Sequence, residues 1–494
     1  MCGRGFDNDL YIQKQSEMIR QRISELGGKL YLEFGGKLFD DYHASRVLPG
    51  FAPDSKIQML KAMADKAEIV IAINAGDIAK NKIRGDLGIT YDLDVLRLID
   101  AFRAFGLYVG SVVITRYMGE PPVCAFKEKL EKLGLPVYLH YPIEGYPMNI
   151  PLIVSDDGFG KNEYVETQRP LVVVTAPGPG SGKMAVCLSQ LYHEYLRGVT
   201  AGYAKFETFP IWNLPLKHPV NLAYEAATAD LNDVNMIDPY HLEAYGKTTV
   251  NYNRDVEVFP VLNAIFERIQ GASPYRSPTD MGVNMAGYAI VDDDVCAAAA
   301  RQEILRRYFT ARCDLRKGYG GEAAVQKTEL IMNQAGISEK DRPVVAAANA
   351  RAEETGLPAV AIELPDGRIV TGKTSDLLGP SAAALLNAVK GICHMPRETS
   401  LITRSVIEPV QQMKVDVLGN HNPRLHSDEV LVALSISAAM SGEAARAVSH
   451  LADLRGCEAH STVILSQVDA DTYRKLGLNL TCEPTYQTKK LYHR

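Results

Sequence analysis

Apolar residues recur along the first 200 residues with two alternating periods, one typical of amphipathic helices and one of buried strands. The helical spacing predicts helices over 9–26, 56–66, 93–105 and 125–133. Continuous apolar runs predict strands over 29–34, 68–74, 108–115, 137–139 and 171–175. Because helices and strands alternate, we expect a doubly wound, mostly parallel sheet that binds ligands at the carboxyl ends of its strands.

The pattern changes twice further along the chain. Between 201 and 335 the strand signal fades, and helices are predicted over 221–227, 255–270, 293–311 and 322–334. Beyond 336 the prediction is helix 344–354, hairpin strands 359–364 and 368–374, helix 381–392, a strand around 401–408, helices 428–439 and 442–452, and strand 461–467. We therefore predict an α/β domain over 1–200, a mainly helical domain over 201–335 and an α+β domain over 336–494.

A glycine-rich loop joins the strand predicted at 171–175 to the next helix. The loop contains Gly178, Gly180, Ser181, Gly182 and Lys183, and an apolar stripe at helical spacing follows it. Strand, glycine loop and helix N-terminus in this order often bind phosphate, because free backbone N–H groups and the helix dipole face the anion. We therefore assign phosphate binding to these five residues. The alternative is a turn whose glycines only permit close packing.

The loop departs from the phosphate-binding loop of nucleotide hydrolases at two positions. That loop has the pattern G-x-x-x-x-G-K-[ST], in which the final hydroxyl holds magnesium. Here Pro177 stands at the first position and Met184 at the last. The turn is therefore P-loop-like, and the missing hydroxyl argues against ordinary nucleotide hydrolysis.

Other polar groups are expected near this loop, because parallel strands end at the same edge of a sheet. Lys37 follows the first predicted strand, Arg116 follows the third, and Asp156 and Asp157 follow another short apolar run. We take Lys37 and Arg116 as candidate substrate contacts and the two aspartates as candidate bases. The alternative is that these residues only shape turns.

A second polar segment lies between long predicted helices, at 277–287. Its Ser277, Thr279 and Asn284 are candidate substrate contacts, and Asp280 is a candidate base or metal ligand. Two glycines in the segment allow close approach of the backbone to a ligand. The alternative is that Ser277 or Asp280 caps a helix.

A third polar segment, at 421–429, holds two histidines, an arginine and two carboxylates before a predicted helix. Its histidines lack any familiar metal-ligand spacing, so we predict no metal site and take His421, Arg424 and His426 as candidate substrate contacts. Helix capping is the alternative. The helix–hairpin–helix order of 344–392 is similar to the start of the cytidine deaminase fold, but the residues that bind and use zinc there are missing.

Composition narrows the class of protein. The chain has 494 residues, of which 46% are hydrophobic and 23% charged, as is typical of globular proteins. Its net charge of −6 and the lack of a basic block argue against nucleic-acid binding. No apolar run in the sequence is long enough for a membrane span. Eight scattered cysteines favour reduced thiols in a cytoplasmic protein.

Five segments connect the chain to a known family: A-P-G-P-G-S-G-K-M at 176–184, C-L-S-Q-L-Y-H-E at 187–194, S-P-T-D-M-G-V-N at 277–284, H-N-P-R-L-H-S-D-E at 421–429 and T-C-E-P at 481–484. With them the chain resembles the bacterial DUF1846 family, also called UPF0371, over nearly its whole length. That family is functionally uncharacterised. The resemblance implies an α/β part with a phosphate-type loop, a helical part and a C-terminal α+β part.

We therefore expect a cytoplasmic multidomain protein that binds a phosphorylated metabolite or nucleotide through the loop at 177–183. If it is an enzyme, the expected reaction is phosphoryl transfer or hydrolysis of that ligand. The alternative is a non-catalytic ligand-binding or metabolite-sensing protein. We expect neither a nucleic-acid nor a membrane partner; the sequence identifies no cofactor and leaves homo-oligomer formation open.

Overall fold

The computed structural model describes residues 3–36, 38–39, 41–84, 87–231 and 233–487. These residues divide into two compact units. The parallel-sheet unit comprises Arg4–Tyr224 and Asp233–Ala299. The mixed-sheet unit comprises, within the described residues, Met1–Gly3, Glu225–Asn232 and Ala300–Arg494. The three-domain division drawn from the sequence stays a prediction.

The strands of the parallel-sheet unit are β1 (Leu30–Phe34), β2 (Ala67–Asn74), β3 (Tyr108–Thr115), β4 (Val137–Leu139), β5 (Leu171–Thr175), β6 (Gly202–Phe206), β7 (Asn235–Ile237), β8 (Val250–Tyr252) and β9 (Gly282–Val283). Among the described residues, seven of them form one sheet in the order β4-β3-β2-β5-β1-β6-β9. Every strand pairing in that sheet is parallel. β7 and β8 form a separate antiparallel pair.

The helices of this unit are α1 (Asn8–Glu25), α2 (Tyr42–Val47), α3 (Ser55–Lys61), α4 (Ala75–Ala79), α5 (Tyr91–Ala104), α6 (Pro121–Lys132), α7 (Ile150–Ile153), α8 (Lys183–Leu196), α9 (Pro219–Ala227, of which the last three residues belong to the mixed-sheet unit), α10 (Pro239–Tyr245), α11 (Asn253–Gln270) and α12 (Pro278–Met281). All residues of β1 and β5 are buried. Because successive strand residues point to opposite faces, complete burial means that both faces of the sheet are covered.

The connections of β2 and β5 leave these neighbouring strands in opposite directions. β2 leads to β3 on one side, whereas β5 leads through α8 to β6 on the other side. Such a switch point opens a crevice at the carboxyl ends of the two strands. The 177–183 loop directly follows β5 and therefore lies at this point of the sheet.

The mixed-sheet unit contains β10 (Ala359–Glu363), β11 (Ile369–Lys373), β12 (Glu458–Ser461) and β13 (Asn479–Cys482) in the order β11-β10-β12-β13. β10 is antiparallel to both neighbours, and β12 and β13 are parallel. The remaining helices are α13 (Asp293–Lys317), α14 (Glu322–Gln334), α15 (Pro343–Thr355), α16 (Pro380–Ile392), α17 (Arg404–Gln412), α18 (Ser427–Ala438), α19 (Gly442–Ser449) and α20 (Gln467–Leu476). In the described part of the chain, no helix combines the length and apolar character needed to cross a bilayer.

The α/β class predicted from the sequence is confirmed, and two strand predictions are corrected. The region 201–335, predicted to be mainly helical, also contains β6 to β9. β6 escapes the pattern because it is short and has a lysine inside it. The strand predicted around 401–408 is instead largely part of α17, and the strand predicted at 461–467 lies earlier, in the polar β12.

Candidate functional site

The loop between β5 and α8 has its carbonyl groups bound to neighbouring side chains. Thr115 Oγ1, at the end of β3, donates to the Ser181 carbonyl at 2.8 Å. Ser181 Oγ donates to the Gly178 carbonyl at 2.8 Å, and Asn74 Nδ2, at the end of β2, reaches the Gly180 carbonyl at 3.4 Å. These contacts leave Ser181 only 1% exposed and fix the path of the loop.

In contrast to its carbonyl groups, the backbone N–H groups of the same loop have no partners among the described residues. Between 178 and 185, no backbone N–H donates to an acceptor among the described residues. Gly182 caps α8 without a side chain, and the first turn of α8 contains no acidic residue. The helix therefore presents the positive end of its dipole without an internal counter-charge.

The glycines of the loop have different reasons to be glycine. A Cβ on Gly178 would lie 2.4 Å from a ring carbon of Tyr91, so close packing explains this residue. Gly180 has open space around it, and its φ of +73° is the reason for glycine there. Gly182 has both constraints, with φ +85° and Thr115 atoms 3.1 Å from its would-be Cβ. The packing alternative therefore accounts for only part of the loop.

Two predicted cations lie close to this region. Lys183 forms no ion pair with any residue that the structure describes, and its charge acts on the Cys187 thiol one turn along α8. Burial raises the pKa of Cys187 well above its usual value; Glu33 adds to this effect and Lys183 opposes it. Arg116 is exposed and similarly opposes burial and Glu33, which together raise the pKa of Tyr146 to about 12. Lys183 and Arg116 thus each act on a group on which Glu33 also acts.

A cavity of about 10 Å³ lies beside the first turn of α8, and it is lined by Met184, Tyr203, Lys205, Glu207, Asp255, Leu262, Pro278, Met281 and Gly282. Its volume is room for about one water molecule. Met184 directly follows the loop lysine, and three of the lining residues come from the 277–287 segment. Two segments that the sequence singled out therefore meet at one cavity.

Sequence reasoning missed the charged residues of this cavity. Lys205 lies inside β6, opposite Glu33 of β1 in the strand register. Its Nζ lies 2.8 Å from Glu207 Oε1 and donates a hydrogen bond to Asp255. Tyr203, on the same face of β6, donates to Glu33 Oε2 at 2.6 Å. A lysine in an otherwise apolar strand, with a glutamate two residues later, was the available signal.

The protonation of this cluster follows from burial and from its uneven charges. Burial raises the pKa of Glu207 to about 7; Lys205 opposes the rise and Asp255 adds to it. Burial lowers the pKa of Lys205, but the charges of Asp255 and Glu207 outweigh burial and raise it overall. Lys205 therefore remains an ammonium ion, whereas Glu207 changes its protonation state near neutral pH.

Ser277 and Asp280 have structural partners. Ser277 Oγ caps α12 by accepting a hydrogen bond from the Asp280 backbone N–H at 3.1 Å. Asp280 Oδ2 accepts from Tyr245 Oη and from the Arg276 N–H, both at 2.9 Å. These contacts of Ser277 are therefore those of a helix cap, the alternative given for this residue.

Thr279 and Asn284 are buried and also bound to the protein. Thr279 Oγ1 donates to Asp238 Oδ2 at 2.6 Å. Asn284 Nδ2 donates to the Pro210 carbonyl at 2.8 Å, which ties its segment to the chain after β6. Both side chains support the wall of the cavity rather than line it.

Asp156 and Asp157 follow the helix α7 and not a strand, which corrects their expected position at a strand end. Both are exposed: Asp156 accepts from Tyr192 Oη at 3.0 Å, and Asp157 lies 3.6 Å from Lys161 Nζ. The structure does not bring them to the cavity. Lys37, the remaining candidate from this region, lies outside the described residues.

His421, Arg424 and His426 belong to the mixed-sheet unit and not to the unit that holds the loop. His421 is exposed, and Arg424 Nε donates to the Ser375 carbonyl at 2.7 Å. His426 Nδ1 lies 2.8 Å from Asp469 Oδ2, and this hydrogen bond raises the pKa of His426.

Asp469 accepts hydrogen bonds from the polar groups around His426. Its Oδ1 accepts from the Ser427 N–H at 2.8 Å, from Ser427 Oγ at 2.7 Å and from Ser381 Oγ at 2.8 Å, and its Oδ2 accepts from Ser466 Oγ at 2.7 Å. Although burial acts to raise the pKa of Asp469, His426 and the hydroxyl donors hold it well below its usual value. Asp469 is therefore an ionised, fully bonded hub.

The fold and the site together define an α/β protein whose parallel sheet carries a helix N-terminus with free N–H groups at its switch point. Within the described residues, no group of three or more His, Cys, Asp or Glu side chains is arranged to hold a metal ion.

Comparison with known proteins identifies the family. The model described as "Domain of unknown function DUF1846, N-terminal" matches residues 4–336, and its C-terminal counterpart matches residues 340–492. The chain therefore belongs to the DUF1846 family, which confirms the resemblance found in the sequence.

Full-length relatives agree with this assignment. The chain is 58% identical over 494 residues to a UPF0371 protein of Streptococcus thermophilus (strain CNRZ 1066), with 100% of each chain covered. It is 57% identical over 494 residues to a UPF0371 protein of Streptococcus pneumoniae (serotype 2, strain D39), again with 100% of each covered. A relative in Streptococcus pyogenes (serotype M5, strain Manfredo) is 58% identical over 489 residues, which is 99% of each chain.

Proposed function

We propose that the parallel-sheet unit binds a phosphorylated small molecule, a metabolite or a nucleotide, through its P-loop-like turn. The N–H groups of Gly178, Gly180, Ser181 and Gly182 surround the phosphate, and the Lys183 ammonium neutralises it. Arg116 is the second cation that contacts the ligand.

One observation carries this proposal: the loop binds its carbonyl groups inward and leaves its N–H groups without acceptors among the described residues. The first N–H groups of any helix have no partner inside the helix, and the bare Gly182 cap leaves those of α8 available to an external anion. The lack of an acidic residue in the first turn of α8 supports the same conclusion.

The leading hypothesis for the activity is phosphoryl transfer or hydrolysis of the bound ligand. Of the carboxylates proposed as bases from the sequence, Asp280 lies on a segment that lines the cavity, whereas Asp156 and Asp157 are exposed after α7. A second candidate is a non-catalytic sensor of the same ligand. Met184, at the position where nucleotide hydrolases have a magnesium-binding hydroxyl, favours the sensor.

For the mixed-sheet unit we keep the deaminase-like element order as a hypothesis about its fold. We propose no deamination, because α16 begins with Pro380 and Ser381 and lacks the histidine and glutamate of the zinc deaminases. His421, Arg424 and His426 remain hypothetical substrate contacts of that unit.

The test is Lys183→Ala in the full chain, with binding of inorganic phosphate, pyrophosphate and nucleotides measured by calorimetry and thermal shift. We expect a loss of about 10- to 100-fold in affinity, because a charge-assisted hydrogen bond contributes about 1.5–3 kcal/mol. Lys161→Ala is the matched control, since its lysine is exposed beside Asp157. Equal binding by wild type and Lys183→Ala, or an equal loss in the control, would contradict the proposal.

A further inference from the structure

The three ionisable side chains of the cavity are one amine and two carboxyl groups, so their positive and negative charges are not matched one to one. Lys205 provides one ammonium ion, whereas Glu207 and Asp255 provide two carboxyl groups that both contact it. All three are at least three-quarters buried, and Lys205 also lies 5.5 Å from the centre of the Tyr252 ring. A structural ion pair needs only one carboxylate for each ammonium ion. The second carboxyl group either stays protonated and hydrogen-bonds to Asp255 or adds an extra buried charge, which costs desolvation energy.

Among the described residues, the largest effects on Glu207 come from burial, Lys205 and Asp255, and Lys205 is the one cation among these. Besides Lys205 and Asp255, the groups of the described residues that act on it or respond to it are the phenols of Tyr252 and Tyr224, and Glu33 acts on Lys205 from β1. Burial raises the pKa of both tyrosines, so the phenols stay neutral. Glu207 is thus the group of this cluster that gains and loses a proton near neutral pH.

The position of the cluster connects it to the loop. Met184 lines the cavity together with Glu207 and directly follows Lys183. The thiol of Cys187 responds both to Lys183 and to Glu33, which lies opposite Lys205 in the sheet. Met184, the second residue of α8, therefore connects the loop to the cavity that Glu207 lines.

We propose that Glu207 is the acid–base group of this site and exchanges a proton with a water in the cavity, which has room for about one water molecule. The ionised carboxylate takes the proton while the oxygen keeps the electron pair, and the same carboxyl group later returns the proton to an oxygen. The inference rests on the proposed phosphate binding at the loop. It narrows the ligand to a phosphorylated compound whose phosphate lies next to this water.

The experiment measures proton uptake when inorganic phosphate binds to the full chain near neutral pH. Calorimetry in two buffers of different ionisation enthalpy gives the number of protons taken up. We expect uptake in the wild type, because a bound anion favours the protonated form of a nearby carboxyl group. Glu207→Gln should bind phosphate without this uptake, and it should fold because Asp255 still balances the charge of Lys205.

Asp255→Asn is the matched variant, since it removes the other carboxylate of the same cluster. Infrared titration without phosphate should show a buried carboxyl group that titrates near neutral pH in the wild type. The group should be absent in Glu207→Gln and should titrate at lower pH in Asp255→Asn, where the neighbouring negative charge is gone. These titrations do not require any ligand.

The outcomes separate the two proposals. Phosphate binding with the same net proton uptake in Glu207→Gln as in the wild type would overturn the role of Glu207 and leave phosphate binding intact. Phosphate binding that Lys183→Ala leaves unchanged would refute the site at the loop, and the inference with it. Loss of uptake in Glu207→Gln at retained affinity would support both.

Discussion

The helices α18 and α8 differ in how the positive end of the helix dipole is compensated at their N-termini. α18, in the mixed-sheet unit, begins with Asp428 and Glu429 in its first turn and meets the carboxylate of Asp469. α8, in the parallel-sheet unit, begins with Gly182 as a bare cap and has no acid in its first turn. The positive end of α18 is thus neutralised by its own chain, whereas that of α8 is not.

The difference helps to distinguish structural from functional polar clusters. Both segments attract attention in the sequence, because each combines polar residues with the start of a helix. Around Asp469 every described donor has found its acceptor, so capping explains the cluster. In the loop before α8 the donors are free among the described residues, and an external anion is the natural partner.

The largest expected effect is a loss of stability at the start of α18, where Asp469 of the same chain is the anion. Asp469→Ala removes the acceptor of His426 and of three serine residues at a buried position. We expect the free energy of unfolding of the mixed-sheet unit to drop by about 3–5 kcal/mol, because unpaired buried groups remain. Chemical denaturation monitored by hydrogen exchange of α18 measures the loss. A change below about 1 kcal/mol would show that the cluster is not a structural hub.

A smaller effect is expected from giving α8 the anion that it lacks. Ala185→Glu places a carboxylate in the first turn and should stabilise the protein by about 0.5 kcal/mol. The same charge should weaken phosphate binding by about 10-fold, since it occupies and repels the anion site. Ala185→Gln, of equal size and without charge, is the control. Stabilisation without any loss of phosphate affinity would show that the N-terminus of α8 is not part of the phosphate site.

The smallest effect concerns pH. Because the folded state raises the pKa of His426 above 6.5, its stabilising contribution is complete below that pH and is lost as pH rises through the raised value. We expect a shallow decrease in the unfolding free energy of the mixed-sheet unit over this window, measured by denaturation at a series of pH values. His426→Gln should abolish the slope, whereas His421→Gln, at an exposed position, should keep it.

Sequence patterns predicted the elements that bury regular stripes of apolar residues. The strands 108–115 and 171–175 and the helix 322–334 have the predicted bounds, because the strands are continuous apolar runs and the helix has apolar residues at helical spacing. The predicted strand around 401–408 was wrong because β-branched residues such as Val406 and Ile407 favour strands, while their spacing with Val410 suits a helix.

The site was predicted only in part. The loop and the segment at 277–287 could be found locally, because their glycines and polar residues stand out in the sequence. The Lys205 cluster could not, since its members come from β6, the residue after it and α11, and only the sheet register places Lys205 beside Glu33. Long-range pairings of this kind leave no periodic signal in one sequence.

The order of the strands also has a consequence for synthesis. In the part of the chain that the structure describes, β1 pairs with β5 and β6, so residues 30–34 leave the ribosome long before residues 171–175 and 202–206 exist. At typical elongation rates this apolar strand waits on the order of ten seconds without its neighbours. Until then β1 is an apolar strand with two unpaired edges, which is the kind of segment that a chaperone for short apolar stretches binds.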